Sequence, residues 1–197
     1  MTLNLSSLAA QDIFDIVADS TDQGIDQHRK SQSKFPTLSM LVQYRGEDKR
    51  GVHYLDDRER AQSLLHICEG LLCDSQGQLL NPKFNGPKTR MTKFPEQPKL
   101  EETLANGFAI YVMDHTGKIW VSFNAQVKKF HHSSLLSGQP VAAAGEMIIF
   151  QGRIYAINNR SGHYHPPPIV IKRVLQVLKS SGVSTQGILI KEYGSDF

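Results

Sequence analysis

Two short clusters of histidine and serine are the residues of this chain best suited to chemistry. Four of the eight histidines fall into them: His131, His132, His163 and His165. The first cluster reads His-His-Ser-Ser and the second reads Ser-Gly-His-Tyr-His. Imidazole can act as a general base, ligate a metal ion or hold a substrate by hydrogen bonds. We therefore expect a functional site here.

Three kinds of chemistry fit these clusters. His163 and His165 could share one side of a zinc site, but no cysteine or HExxH pattern accompanies them, so we predict no metal. A nucleophilic Ser/His pair is conceivable, although the GxSxG pattern of a nucleophile elbow is absent. The third interpretation is that these residues form hydrogen bonds that organise turns.

The residues between the two clusters suggest a close approach of the backbone. Ala142, Ala143, Ala144 and Gly145 form a run of small side chains just before Glu146. Small residues are weak strand formers, so the run indicates close contact with a ligand or with a packed neighbour. We predict a strand from Lys128 to Leu136, with His131 and Ser133 on one face and His132 and Ser134 on the other.

The elements around this segment predict an α+β fold, with N-terminal helices followed by a mostly antiparallel sheet and one late helix. Residues 1–35 are expected to form a helix (7–18) and a mobile arm, and residues 36–197 a single domain. The predicted strands are Leu38–Tyr44, Phe108–Met113, Ile119–Phe123, Val141–Phe150, Arg153–Asn158 and Gln186–Tyr193, and the late helix is Ile169–Ser180.

A second helix is predicted from Asp56 to Leu72. Asp56 and Glu59 have capping-box spacing, and a stripe of apolar residues follows: Ala61, Leu64, Leu65, Cys68, Leu71 and Leu72. On such a helix Cys68 and Cys73 lie about 140° apart, so we expect no disulfide between them and a reducing, cytosolic environment.

Composition excludes several classes of protein. No apolar run approaches the roughly 18 residues of a membrane span. The N-terminus lacks the basic start and apolar core of a cleavable signal peptide. A net charge of +3 is too small to indicate nucleic-acid binding.

The segment 107–182 resembles a module found in two groups of proteins. The motifs that carry the resemblance are YVMDHTGKIWVS, KFHHSSLLSGQPVAAAGE and SGHYHPP. One group is the plant IQ-motif calmodulin-binding family. The other is bacterial effectors and toxins of the CteC type, which resemble ADP-ribosyltransferases that modify ubiquitin on threonine. Calmodulin binding is not carried over, because Val42-Gln43 is followed by Glu47 where an IQ motif has arginine.

The bacterial resemblance implies an ADP-ribosyltransferase-like fold and NAD as substrate. A carboxylate would offset the positive charge that develops on the ribose as nicotinamide leaves. The catalytic candidates are Glu146, with Glu192 ranked second, and His131. The residues that would hold NAD are Arg45, His132, Ser133, Ser134, His163 and Tyr164.

The sequence therefore predicts a mono-ADP-ribosyltransferase effector that modifies a host protein, with ubiquitin as a candidate acceptor. It would be secreted by a bacterium without a cleavable signal peptide and act in host cytoplasm, or else be cytoplasmic. The alternative is a non-catalytic protein-binding module of the same family. In that case the histidines brace the hairpins and the basic loop from Lys83 to Lys99 contacts a partner.

Overall fold

A five-stranded sheet lies at the centre of the computed structural model, which describes residues 41–43, 51–81, 108–126 and 129–194. These residues belong to one unit of the chain, Lys34–Phe197. In chain order the elements are α1 (Asp57–Ser63), β1 (His66–Cys68), β2 (Leu71–Cys73), β3 (Phe108–Met113), β4 (Ile119–Ser122), α2 (His132–Leu135), β5 (Ala143–Phe150), β6 (Arg153–Asn158), α3 (Ile169–Ser180) and β7 (Leu189–Lys191).

The order of strands in the sheet is β4-β3-β5-β6-β7. All neighbouring strands are antiparallel except β6 and β7, which are parallel. A separate hairpin pairs β1 with β2. The α+β class and the mostly antiparallel sheet are thus confirmed for the described residues.

The sheet is covered on both faces, as the alternation of residues along β3 shows. Tyr111 and Met113 lie in one buried cluster with the apolar side of α3. Ile110 and Val112 lie in a second cluster with Leu135 of α2. Successive strand side chains point to opposite faces, so β3 contributes to both cores.

Both predicted hairpins of the central sheet are confirmed. In the turn between β3 and β4, the carboxylate of Asp114 accepts hydrogen bonds from the backbone N–H groups of Thr116 and Lys118. The turn between β5 and β6 places Gln151 and Gly152 at φ +47° and +71°. Two successive positive φ values are typical of the type I′ turn, whose twist matches that of the flanking strands.

The late helix is also confirmed, as α3. It ends in a Schellman motif, in which the N–H groups of Gly182 and Val183 donate to the carbonyls of Lys179 and Leu178. Gly182 has φ +88°, a conformation that glycine adopts without steric cost. The last strand is shorter than predicted, since only Leu189–Lys191 pairs with β6.

The predicted helix from Asp56 to Leu72 is wrong beyond its first two turns. The capping box is present, with Asp56 Oδ1 accepting from the N–H of Glu59 at 2.8 Å. The helix nevertheless stops at Ser63, because Leu64 is extended and bridges to Trp120 of β4. Long-range strand pairing therefore overrides the helical pattern of apolar residues.

The expectation that the cysteines do not pair is wrong for the same reason. In the β1–β2 hairpin the Cα atoms of Cys68 and Cys73 are 6.1 Å apart, and their sulfurs form a disulfide. That distance lies within the range a disulfide spans.

The predicted strand from Lys128 to Leu136 is wrong at its centre. Residues His132–Leu135 form the short helix α2, and all four are buried. Among the described residues, no helix is both long and apolar enough to cross a membrane.

Several predictions lie outside the described residues: the helix 7–18, the arm 19–35, Arg45 and the basic loop from Lys83 to Lys99. Of the predicted strand Leu38–Tyr44, only residues 41–43 are described. Within them Val42 forms an isolated antiparallel bridge with Val141.

Candidate functional site

The two histidine clusters meet in space. The imidazole rings of His131 and His163 stack with their centroids 4.4 Å apart and their planes 20° from parallel. His131 immediately precedes α2, and His163 lies in the loop between β6 and α3. Both rings are half-buried. The structure thus brings together two motifs separated by about thirty residues of sequence, and their use as a catalytic or NAD-binding site stays a prediction.

The first cluster is held together by its own hydrogen bonds. Ser134 Oγ accepts from the backbone N–H of His131 at 3.1 Å, and the N–H of Ser134 donates to the His131 carbonyl at 2.8 Å. Ser133 Oγ and His131 Nδ1 are 2.9 Å apart. Ser133 and Ser134 have no exposed surface. A short helical turn, not a strand, therefore brings His131 and Ser133 into contact.

His132 joins α2 to the central strand β5. Its Nε2 lies 2.9 Å from the carbonyl oxygen of Gly145, so Nε2 is the protonated nitrogen of the neutral ring. Burial lowers the pKa of His132 from 6.5 to about 4, and the nearby His131 and His163 act in the same direction. The hydrogen bond to Gly145 opposes this shift. His132 is therefore neutral at pH 7 and acts as a hydrogen-bond donor.

The run of small residues before Glu146 ends at a very close contact between β5 and β6. A Cβ atom at Gly145 would lie 2.0 Å from the carbonyl oxygen of Asn158 and 2.9 Å from the hydroxyl of Tyr111. That hydroxyl donates to the Asn158 carbonyl at 3.0 Å. Burial, and then the charge of Glu146, raise the pKa of Tyr111. The absence of a side chain at Gly145 thus leaves room for Asn158 and Tyr111 as packed neighbours.

Glu146 forms hydrogen bonds to Asn158 through both its carboxylate and its backbone N–H. Its Oε2 accepts from Asn158 Nδ2 at 2.9 Å, and its backbone N–H donates to Asn158 Oδ1 at 3.0 Å. Only 8% of Glu146 is exposed. Burial raises the pKa of its carboxyl, whereas the bond from Asn158 and the charge of Arg160 lower it. Glu146 thus links β5 to Asn158 at the end of β6.

The structure also places two further predicted site residues, Tyr164 and Glu192. Tyr164 is fully buried, and its hydroxyl donates to the Gln139 carbonyl at 2.8 Å, so its ring lies inside the second core. Glu192 is exposed and follows Lys191, which pairs with Asn158. Glu192 lies one residue beyond the end of β7.

Sequence reasoning missed Asn158, which does most to organise this site. Its Oδ1 also accepts from the backbone N–H of Arg160 at 2.9 Å. The available signal was an asparagine pair, Asn158-Asn159, at the end of an apolar strand. Within the described residues, no group of three or more His, Cys, Asp or Glu side chains is placed to hold a metal ion.

Comparison with known proteins gives one family match. Residues 90–168 match the IQ motif-containing protein middle domain. IQ domain-containing protein IQM3 from Arabidopsis thaliana is 30% identical over 87 residues, which are 44% of this chain and 19% of that protein. IQ domain-containing protein IQM5, from the same plant, is 29% identical over 97 residues, or 49% of this chain and 19% of the relative. The matched segments thus span about a fifth of the length of either relative.

These matches correct the prediction of a bacterial effector. The described relatives are plant IQ domain-containing proteins, so the assignment as an ADP-ribosyltransferase, toxin or bacterial virulence factor is wrong. No solved structure matches the chain, and the ADP-ribosyltransferase-like fold has no support. The other half of the predicted resemblance is confirmed: over residues 90–168 the chain is similar to the IQ motif-containing protein middle domain.

Proposed function

We propose that this chain is a non-catalytic protein-binding module in which the buried members of the histidine and serine clusters brace the fold behind a binding surface. The observation that carries the proposal is the condition of Glu146, which is nearly buried and bonded to Asn158 through both its carboxylate and its backbone N–H. A carboxylate held in this way has no free approach to a ribose.

The side chains that would hold a nucleotide likewise form hydrogen bonds within the protein. Ser133 and Ser134 are completely buried and bond to His131, and His132 is bonded to Gly145. Buried polar groups bonded to one another fix a local structure, and breaking such bonds costs stability. These contacts fit a bracing role.

A half-exposed row of rings lies outside these braced residues. The ring of His53 is 6.3 Å from that of Phe130, His131 follows Phe130 in sequence, and His131 stacks on His163. We name these four residues the imidazole surface. Rings with an apolar body and a polar edge are well suited to protein interfaces. We assign partner contact to this surface. The basic loop from Lys83 to Lys99, which lies outside the described residues, stays a second contact predicted from the sequence.

Calmodulin is expected not to be the partner. Both relatives carry the words IQ domain in their names, but Glu47 stands here where an IQ motif has arginine. NAD binding and the predicted cellular location follow from no described contact, and both stay predictions from the sequence.

Site-specific photo-crosslinking tests the proposal. A photoreactive residue replaces Lys129, which is exposed beside Phe130, and in a matched control it replaces Gln176, exposed on α3. We expect saturable capture of one protein at position 129 and not at 176. Binding should then be reconstituted from the two purified proteins and fall at least tenfold in His53→Ala, because that side chain is 56% exposed and its loss leaves the core intact.

The same preparation tests the alternatives. Purified calmodulin, with and without calcium, should not bind, and isotope-labelled NAD should not transfer label to the captured partner or to ubiquitin. Equal capture at positions 129 and 176, or unchanged binding by His53→Ala, would show that the imidazole surface is not the binding site. Transfer of ADP-ribose that is lost in Glu146→Ala would overturn the non-catalytic assignment.

A further inference from the structure

The β1–β2 hairpin is fastened to the rest of the domain through its second strand. Leu72 is fully buried, and its N–H donates to the carbonyl of Gly152 at 2.8 Å. The N–H of Leu80 donates to the Leu72 carbonyl at 3.0 Å. At the tip, a Cβ atom on Gly70 would lie 2.9 Å from the Gly182 carbonyl oxygen, so the turn touches the end of α3.

The residues that form this hairpin carry the pattern of a helix. Leu64, Leu65, Cys68, Leu71 and Leu72 continue the apolar stripe that begins at Ala61, directly after a capping box. Local preference and observed structure thus conflict over residues 64–72. In such a segment the loss of one stabilising contact can shift the balance between the two structures.

The disulfide distinguishes between the two conformations. In the hairpin the Cα atoms of Cys68 and Cys73 are 6.1 Å apart. Residues five apart in an α-helix have Cα atoms roughly 8.7 Å apart, beyond the reach of a disulfide. The oxidised chain therefore cannot form the helix through residue 73, whereas in the reduced chain this restraint is absent.

We propose that the Cys68–Cys73 disulfide is a redox switch of local structure, which holds residues 64–73 as a hairpin when oxidised and lets residues 64–72 extend α1 as a helix when reduced. The inference is independent of the proposed binding function.

The reductant is a dithiol. Its thiolate attacks Sγ of Cys68, which is half-buried, because Sγ of Cys73 is fully enclosed. The Cys68–Cys73 bond breaks, and Cys73 departs as a thiolate that takes up a proton. The second thiol of the reductant then displaces Cys68 from the mixed disulfide. Two electrons pass to the protein, which gains two thiols, and the dithiol becomes a disulfide.

A disulfide that closes a loop of this length lowers the entropy of the open chain. It is therefore expected to reduce the equilibrium constant for opening of the hairpin on the order of 40-fold. Hydrogen exchange of the Leu72 amide in the full chain, with and without dithiothreitol, measures this. We expect exchange at least tenfold faster after reduction. Cα chemical shifts should change from strand-like to helical values over residues 64–72.

Two variants test the mechanism. Cys68→Ser/Cys73→Ser should show the reduced behaviour without reductant. Glu69→Asn should oppose the switch, because Glu69 and Gly70 have φ +51° and +79° and Asn-Gly favours that type I′ turn. We expect Glu69→Asn to leave the oxidised shifts unchanged and to diminish the helical shifts of the reduced chain.

Three results would overturn the proposal. One is a hydrogen-exchange rate of the Leu72 amide that does not change on reduction, once thiol titration has confirmed two free thiols. Another is faster exchange without helical shifts. The third is equally fast exchange at Ile157, in the interior strand β6, because opening must be local.

Discussion

The imidazole rings of His131 and His163 stack 4.4 Å apart, although the two residues belong to different motifs and different elements. Each ring packs on the other at the junction of α2 with the loop before α3. The stack joins the two segments that contribute His131 and His163 to the imidazole surface. It follows that each residue supports the position of the other.

The first prediction concerns this pair. His131→Ala and His163→Ala should each lower the free energy of unfolding by about 1–2 kcal/mol, with a coupling energy of about 0.5–1 kcal/mol between them. Urea unfolding of both single variants and the double variant measures the coupling. His115→Ala, in the exposed β3–β4 turn, is the control. Strictly additive effects of the pair would contradict the stacking role.

The second prediction concerns the contact between β5 and β6. Gly145→Ala should destabilise the protein by about 3 kcal/mol or prevent folding, because the new methyl group would lie 2.0 Å from a backbone oxygen that cannot move alone. Gly162→Ala is the matched control, since a Cβ atom there meets nothing within 4 Å. Thermal unfolding compares them, and similar melting temperatures would refute the close approach.

The third prediction concerns Asn158. Asn158→Ala removes the partner of the Glu146 carboxylate and leaves two backbone N–H groups without their acceptor. We expect a loss of roughly 2–4 kcal/mol in the free energy of unfolding. The exposed Asn124→Ala should change it by less than about 0.5 kcal/mol. Equal effects in urea titrations would mean that Asn158 does not organise the site.

The fourth prediction is a pH dependence caused by His132. Its pKa is about 4 in the folded chain and 6.5 as the ordinary value, so the unfolded chain binds more protons between these pH values. Stability from this residue is fully present above pH 6.5 and decreases as the pH falls toward 4, by on the order of 3 kcal/mol.

His132→Gln should remove much of that dependence, because an amide can still donate to Gly145 but does not titrate. Urea unfolding between pH 6.5 and 4.5 provides the comparison, and His115→Gln should retain the slope of the unmodified protein. An unchanged slope in His132→Gln would assign the acid sensitivity to other groups.

The fifth prediction concerns Glu146, whose pKa is raised by burial. The folded chain holds this proton more tightly than the unfolded chain, so its contribution to stability is lost as the pH rises through the folded pKa. Glu146→Gln can still accept from Asn158 and stays neutral. We expect the variant to gain stability relative to the unmodified protein between pH 5 and pH 8, as followed by thermal unfolding. A relative loss over that range would show that the ionised carboxylate is needed.

The sheet and the late helix could be predicted because their signals are local. The strands that flank Asp114 and Gln151 have side chains that either alternate between apolar and polar or are continuously apolar, and turn residues join them. At the end of α3, Gly182 terminates the helix. Such patterns determine a hairpin or a helix end without information from distant residues.

The candidate site was predictable only in part. The run of small residues before Glu146 predicted a close backbone approach, to a ligand or to a packed neighbour, but Asn158 was identified only from its contacts. The predicted roles of His131 and Glu192 in catalysis depended on a resemblance to bacterial effectors that the family match does not support.

The sequence alone determined which residues could form strands and turns, and therefore the hairpins of the central sheet. Only the tertiary structure decided the segment from Leu64 to Cys73, where Leu64 pairs with Trp120 and Leu72 enters the core. A helical stripe and a buried hairpin use the same apolar residues. The choice between them depends on the free energy of contacts with distant strands and on a disulfide, and neither is encoded in local periodicity.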